Sequence, residues 1–204
     1  MKYIKMIATI ASLGILAVAA LGGSAASAKT CSTAGQFASC GAGHGNIYVG
    51  LVIKKLTPGK AWTLESGFVS VSCASSEITM KVTNGETAAQ QIESFSLAEC
   101  TSGLGACTAK ANSLPWSGTG AVSTAPNGVQ KVKNPAFEFT CAGVTCKYGA
   151  AEITEEAVGS DTVPETVYSK VPVSKEAGSS AFCSSTGTWS ATYKVTSPTS
   201  FFTT

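Results

Sequence analysis

Eight cysteines, Cys31, Cys40, Cys73, Cys100, Cys107, Cys141, Cys146 and Cys183, all lie downstream of a segment patterned for export. Within residues 1–28, Lys2 and Lys5 form a short basic start and Met6 to Ala20 an unbroken run of apolar and small residues. A Gly/Ala/Ser-rich stretch then ends at Ala26-Ser27-Ala28. Small residues at the two positions read by a signal peptidase predict a signal peptide over 1–28, cleaved after Ala28. The apolar run is short beside the ~20 residues a membrane span needs, and no second run follows. Lys29 and Thr30 separate the small residues from Cys31, which argues against a lipid anchor. The expected protein is therefore secreted, extracellular or on the outer face of the envelope, with no membrane span after cleavage. Thiols delivered there oxidise. Cystines are expected in place of a zinc cluster, which would need close Cys/His pairs.

Charge narrows the function classes. Lys2 and Lys5 account for the formal net charge of +2, so the chain beyond residue 28 balances to zero. Every basic residue is lysine, which removes the guanidinium fork used on phosphates and carboxylates. Nucleic acid, whose backbone demands clustered positive charge, is excluded as a partner. No cofactor-binding motif occurs, and a monomer is expected.

The fold class follows from alternation. Trp189, Ala191, Tyr193 and Val195 alternate with polar residues, as do Ile78, Met80 and Val82, Phe137, Phe139 and Cys141, and Val69, Val71 and Cys73. That period of two marks half-buried strands. Val167, Val171 and Val173 suggest another, with Pro172 placing it at an edge. Turn dipeptides punctuate these runs at Pro58-Gly59, Asn84-Gly85, Asn127-Gly128 and Asn134-Pro135. The expectation is an all-β chain, an antiparallel β-sandwich or barrel stapled by disulfides. Residues 29–46 read as a Gly/Ser-rich N-terminal loop with a local cystine, and 47–204 as one β domain. Residues 47–53, nearly all apolar, are expected to be buried on both faces, and 86–92 could form one short helical turn.

Eight cysteines allow more connectivities than sequence can choose among. A hairpin around Asn84-Gly85 with its midpoint between residues 86 and 87 sets Cys73 opposite Cys100. Cys141 and Cys146 flank a short loop, Cys31 and Cys40 share a segment, and Cys107 and Cys183 remain. The main rival joins Cys100 to Cys107 and Cys73 to Cys183.

Three stretches, Cys107 to Trp116, Phe137 to Tyr148 and Trp189 to Pro198, together resemble a group of secreted, disulfide-stapled, β-rich proteins of actinobacterial type. The likeness spans most of the chain beyond residue 28 and rests on cystines, a Pro-Trp step and alternating strands. It implies an exported bacterial β protein and carries no assigned activity.

Candidate chemistry is sparse. His44 is the sole imidazole, set among glycines, and no Gly-x-Ser-x-Gly elbow follows residue 28, so a serine triad lacks its parts. Glu138, between Phe137 and Phe139, could line a groove as one of two glycosidase carboxylates, or simply face solvent. Glu152, Glu155, Glu156, Asp161 and Glu165 lack the alternating Asp/Asn-Gly signature of a calcium loop and read as a solvated acidic stretch. Leu114 to Gly118 looks like a sortase pentapeptide but has no apolar tail behind it. These exclusions favour a non-enzymatic interaction module that binds a polymer, a surface or another protein. Trp62, Trp116 and Tyr48 are its candidate exposed rings, with core packing as the competing role for each. The alternatives are a secreted carbohydrate-active hydrolase using paired Glu, and a small-ligand carrier with an apolar cleft.

Overall fold

The computed structural model describes residues 30–31, 48–67, 69–124, 127–159, 164–198 and 202–203. The predicted signal peptide, His44, Asp161, Cys40 and the side chain of Cys31 lie outside the described residues, as does the expected 31–40 cystine. The strands are β1 (Thr30–Cys31), β2 (Gly50–Leu56), β3 (Trp62–Glu65), β4 (Val71–Asn84), β5 (Ala89–Ser102), β6 (Gly105–Asn112) and β7 (Trp116–Thr124). They continue as β8 (Asn127–Lys133), β9 (Ala136–Cys141), β10 (Val144–Gly149), β11 (Glu152–Val158), β12 (Glu165–Lys175), β13 (Thr186–Ser197) and β14 (Phe202–Thr203). No helix occurs among the described residues, and every strand pairing is antiparallel, as the alternation requires. The segment expected to form a helical turn is instead a turn over 85–88 followed by the start of β5.

The sheet closes on itself twice. One circuit runs β2-β4-β5-β7-β8-β11-β12-β13 and back to β2. The other runs β3-β4-β5-β6-β9-β10-β12-β13 and back to β3. The long strands β4, β5, β12 and β13 pass through both, so two barrel-like halves share their walls end to end. Closure pairs backbone groups that would otherwise form open edges. The short β1–β14 ribbon is held to the first half through the Thr30 amide, which donates to the Gly85 carbonyl at 2.8 Å.

The β4–β5 hairpin shows how local chemistry sets register. The Asn84 side chain accepts the Glu86 amide at 2.9 Å, fixing the turn. Val82 then faces Gln90 and Met80 faces Ile92, and one irregularity beyond Met80 sets Cys73 opposite Cys100. The 73–100 cystine expected from this hairpin is present.

The expected 141–146 and 107–183 pairings are corrected. Cys107 bonds Cys141, and Cys146 bonds Cys183. The β9–β10 turn is only Ala142-Gly143, both at positive φ as a tight hairpin turn demands. Cys141 therefore faces Val144, and Cys146 faces Phe139, two rows away and too far for a 141–146 bond. Cys73, Cys100, Cys107 and Cys141 occupy one row across β4, β5, β6 and β9. Cys100 does face Cys107, as the rival pairing supposed. Bonding those two would strand Cys73 and Cys141 at the ends of the row, whereas the observed bonds use all four.

Burial follows the predicted phase in β13, where Trp189, Ala191, Tyr193 and Val195 all point inward. In β12 a bulge at Ser169-Lys170, with Lys170 at φ 50°, shifts the phase. Thr166 and Tyr168 face inward before it and Val171 and Val173 after it, while Val167 is only half-buried. The edge position expected from Pro172 is corrected: β13 flanks β12 on one side and β11 and β10 on the other, with Pro172 in the stretch between the β11 and β10 pairings. Of the stretch expected to be buried on both faces, the described residues 48–53 are not: Val52 is fully buried, but Leu51 is 54% exposed. At the junction of the halves Phe137 lies 5.0 to 5.8 Å, centroid to centroid, from Trp189, Trp116, Phe95 and Trp62. Rings from five strands thus fill the middle of the molecule.

Candidate functional site

The two predicted tryptophans are core residues. Trp62 is fully buried, between Phe137, Phe139 and Trp189. Trp116 is 2% exposed and donates Nε1–H to the Asn112 carbonyl at 2.8 Å. Neither offers a face on which a ligand could stack, which corrects their candidacy; in each case the alternating strand turned the ring inward. Tyr48 is half-buried, and its hydroxyl donates to the Leu51 carbonyl. Partial burial raises its pKa from the ordinary value. It packs against the core and presents only part of a ring.

Phe182 is the aromatic ring that the described residues leave outside, 74% exposed. It sits in the β12–β13 connection, which runs alongside β10. The Glu176 amide donates to the Lys147 carbonyl at 2.9 Å and the Ser180 amide to the Thr145 carbonyl at 2.8 Å. Ser179 Oγ exchanges hydrogen bonds with the backbone of Lys147, and Lys175 Nζ reaches the Cys183 carbonyl at 3.2 Å. The Cys146–Cys183 bond fastens the loop beside the ring. The loop thus covers β10 and presents one exposed phenyl group from an anchored backbone. Sequence reasoning passed over Phe182 because it lies outside any alternating run. A phenylalanine beside a cysteine in an Ala/Gly/Ser-rich connection was the available signal.

Glu138 lies on β9 between two lysines. Lys110 Nζ is 2.9 Å from one carboxylate oxygen and Lys147 Nζ 3.5 Å from the other. The hydrogen bond from Lys110, with both positive charges, holds its pKa below the usual carboxylate range. A general acid needs the opposite shift. Its cleft, about 220 Å3, is lined by Thr108, Ala109, Lys110 and Thr140 and holds no second carboxylate. A second cleft, about 410 Å3, lies between Asn134, Gly149 and Glu176 and is open and mixed in polarity. Neither resembles the apolar cleft of a small-ligand carrier.

The acidic stretch is corrected most sharply. Residues 152–158 form β11, with Ile153, Glu155 and Ala157 facing inward. Glu155 is 1% exposed and pairs with the fully buried Lys54 of β2 at 3.1 Å. Lys54 Nζ also donates to Gln130 Oε1 of β8 at 3.1 Å. Tyr168 and Tyr193 flank this group, and the Tyr193 hydroxyl meets Ser76 Oγ at 2.8 Å. Burial, reinforced by the Glu155 charge, raises both tyrosine pKa values. Among the described residues no cluster of His, Cys, Asp and Glu could hold a metal ion. Strict alternation places Lys54 with Val52, Glu155 with Ile153, and Gln130 with Val132. The phase therefore carried the signal, while composition pointed the other way.

Six of the eight cysteines are bonded in three intramolecular cystines, the chemistry of an oxidising compartment. Among the described residues no helix is long and apolar enough to cross a membrane. No protein-family model, curated protein or solved structure matches the chain.

Proposed function

We propose that this is an exported, non-enzymatic recognition module that engages an extracellular polymer, a surface or another protein through the 176–185 loop. The observation that carries the reading is Phe182, a phenyl ring 74% exposed on a loop anchored by a cystine and backbone hydrogen bonds. A large apolar ring carried on an anchored loop spares the backbone's ordering cost on binding, which makes it an efficient contact. The lysine-clamped Glu138 weakens the hydrolase alternative, because its carboxylate is stabilised in the ionised form.

The reading is tested by retention on immobilised cell-wall and extracellular polysaccharides and on the surface proteins of the producing cell. The wild-type protein is compared with Phe182→Ser, with the fold of each checked by circular dichroism. Retention by the wild type and its loss in the variant are expected. Equal retention by both proteins refutes the role of the loop. Polymer turnover abolished by Glu138→Gln overturns the non-enzymatic reading.

A further inference from the structure

The core of the first barrel half contains a constellation that packing does not explain. Lys54, Gln130 and Glu155 come from β2, β8 and β11, and none is more than 2% exposed. Lys54 Nζ lies 3.1 Å from the carbonyl oxygen of the Gln130 carboxamide and 3.1 Å from Glu155 Oε1. It is the one buried lysine among the described residues. Glu155 Oε2 closes no hydrogen bond, although the Tyr168 hydroxyl is its neighbour. A buried ion pair is a poor source of stability, because desolvating both charges offsets most of their attraction. Apolar residues of similar size would fill the space at lower cost. What the trio does hold is an amine nucleophile, a carboxamide electrophile and a carboxyl group able to move protons between them, at contact distance and away from competing water.

We propose that Lys54 and Gln130 join in an intramolecular isopeptide bond, with Glu155 as the catalytic residue. Glu155 takes a proton from the Lys54 ammonium, leaving a neutral amine beside a neutral acid. Nζ attacks Gln130 Cδ, and the Cδ–Nε2 bond breaks. Glu155 passes a proton to the departing nitrogen and takes up the second proton released by Nζ. Ammonia leaves, a secondary amide joins β2 to β8, and Glu155 remains protonated. Ammonium, carboxamide and carboxylate thus become amide, ammonia and carboxylic acid, with no change of oxidation state and no further reactant. The product leaves no charge in the core, which removes the desolvation cost of the starting pair. β2 and β8 are not neighbours in the sheet, so the bond would brace opposite walls of the barrel. It would also close a loop spanning 76 positions of sequence, alongside the three cystines.

The test is peptide-level mass spectrometry of the full chain exported by its producing cell, reduced and alkylated before digestion. The expected result is a single branched product containing the Lys54 and Gln130 peptides, lighter than their sum by one ammonia. Recovery of the two peptides separately at their unmodified masses overturns the proposal. A Lys54–Glu155 product lighter by one water overturns it as well, because the acceptor is then the carboxylate. Glu155→Gln should leave Lys54 and Gln130 unlinked, and a branched product in that variant refutes the assigned role of Glu155. The wild-type digest decides the bond even if the variant fails to fold.

Discussion

Replacing Phe137 with alanine tests the claim that one ring cluster holds the two barrel halves together. Phe137 is fully buried and stands within 5.8 Å, centroid to centroid, of Trp62, Phe95, Trp116 and Trp189. Removing a buried phenylalanine side chain costs about 3–5 kcal/mol, with the upper end expected where the surroundings cannot collapse. Here the cavity is walled by three tryptophans and a phenylalanine on β3, β5, β7 and β13, all locked in strands, so about 5 kcal/mol is expected. Phe137→Leu keeps most of the volume and loses mainly the edge-on ring contacts, so about 2 kcal/mol is expected. Urea unfolding of the oxidised protein, followed by fluorescence of the adjoining tryptophans, measures both. Phe182→Ala should change stability by no more than about 0.5 kcal/mol, because that ring is already solvated. A Phe137→Ala cost below about 2 kcal/mol, or equal costs for the alanine and leucine variants, would refute the idea of a rigid central cluster.

The corrected cystine connectivity and the buried tyrosines make further predictions. Bonds 73–100, 107–141 and 146–183 close loops with separations of 27, 34 and 37, each stabilising by about 3.5–4 kcal/mol on the chain-entropy estimate. Cys107→Ser with Cys141→Ser should therefore lower the unfolding free energy by roughly that amount and leave the other two bonds intact by mass mapping. A 141–146 bond in the wild-type map would refute the register of β9 and β10. Tyr168 and Tyr193 are held protonated above their ordinary value of 10.0. Their contribution to stability is fully present below that pH and is lost as pH rises towards the folded-state values. The decline should be about 1.4 kcal/mol per pH unit for each tyrosine. Unfolding free energies from urea titrations should stay level up to about pH 10 and fall with that slope above it. Tyr168→Phe combined with Tyr193→Phe should flatten it, and an unchanged slope in that double variant would refute the assignment.

Much of the architecture was legible because a strand repeats every two residues and needs no partner to show its phase. The inward faces of β4, β9 and β13 could be read directly from Ile78, Phe137 and Trp189 with their neighbours. The β4–β5 register, and with it the 73–100 bond, followed from Asn84-Gly85 and simple counting. The absence of arginine was equally plain, since it is a property of composition. Other features depended on what one strand meets across the interior. Cys107 could bond Cys100 or Cys141, and only the row formed by four adjacent strands left each of its four cysteines with a partner. Lys54, Gln130 and Glu155 lie on three separate strands, and Glu155 reads from sequence as part of a solvated acidic stretch, but closing the barrel turned all three onto one another. Phe182 stayed outside because a cystine and the Lys147 backbone held its loop against β10. Local periodicity tells each side chain which way to point; only the closed sheet determines what stands opposite it.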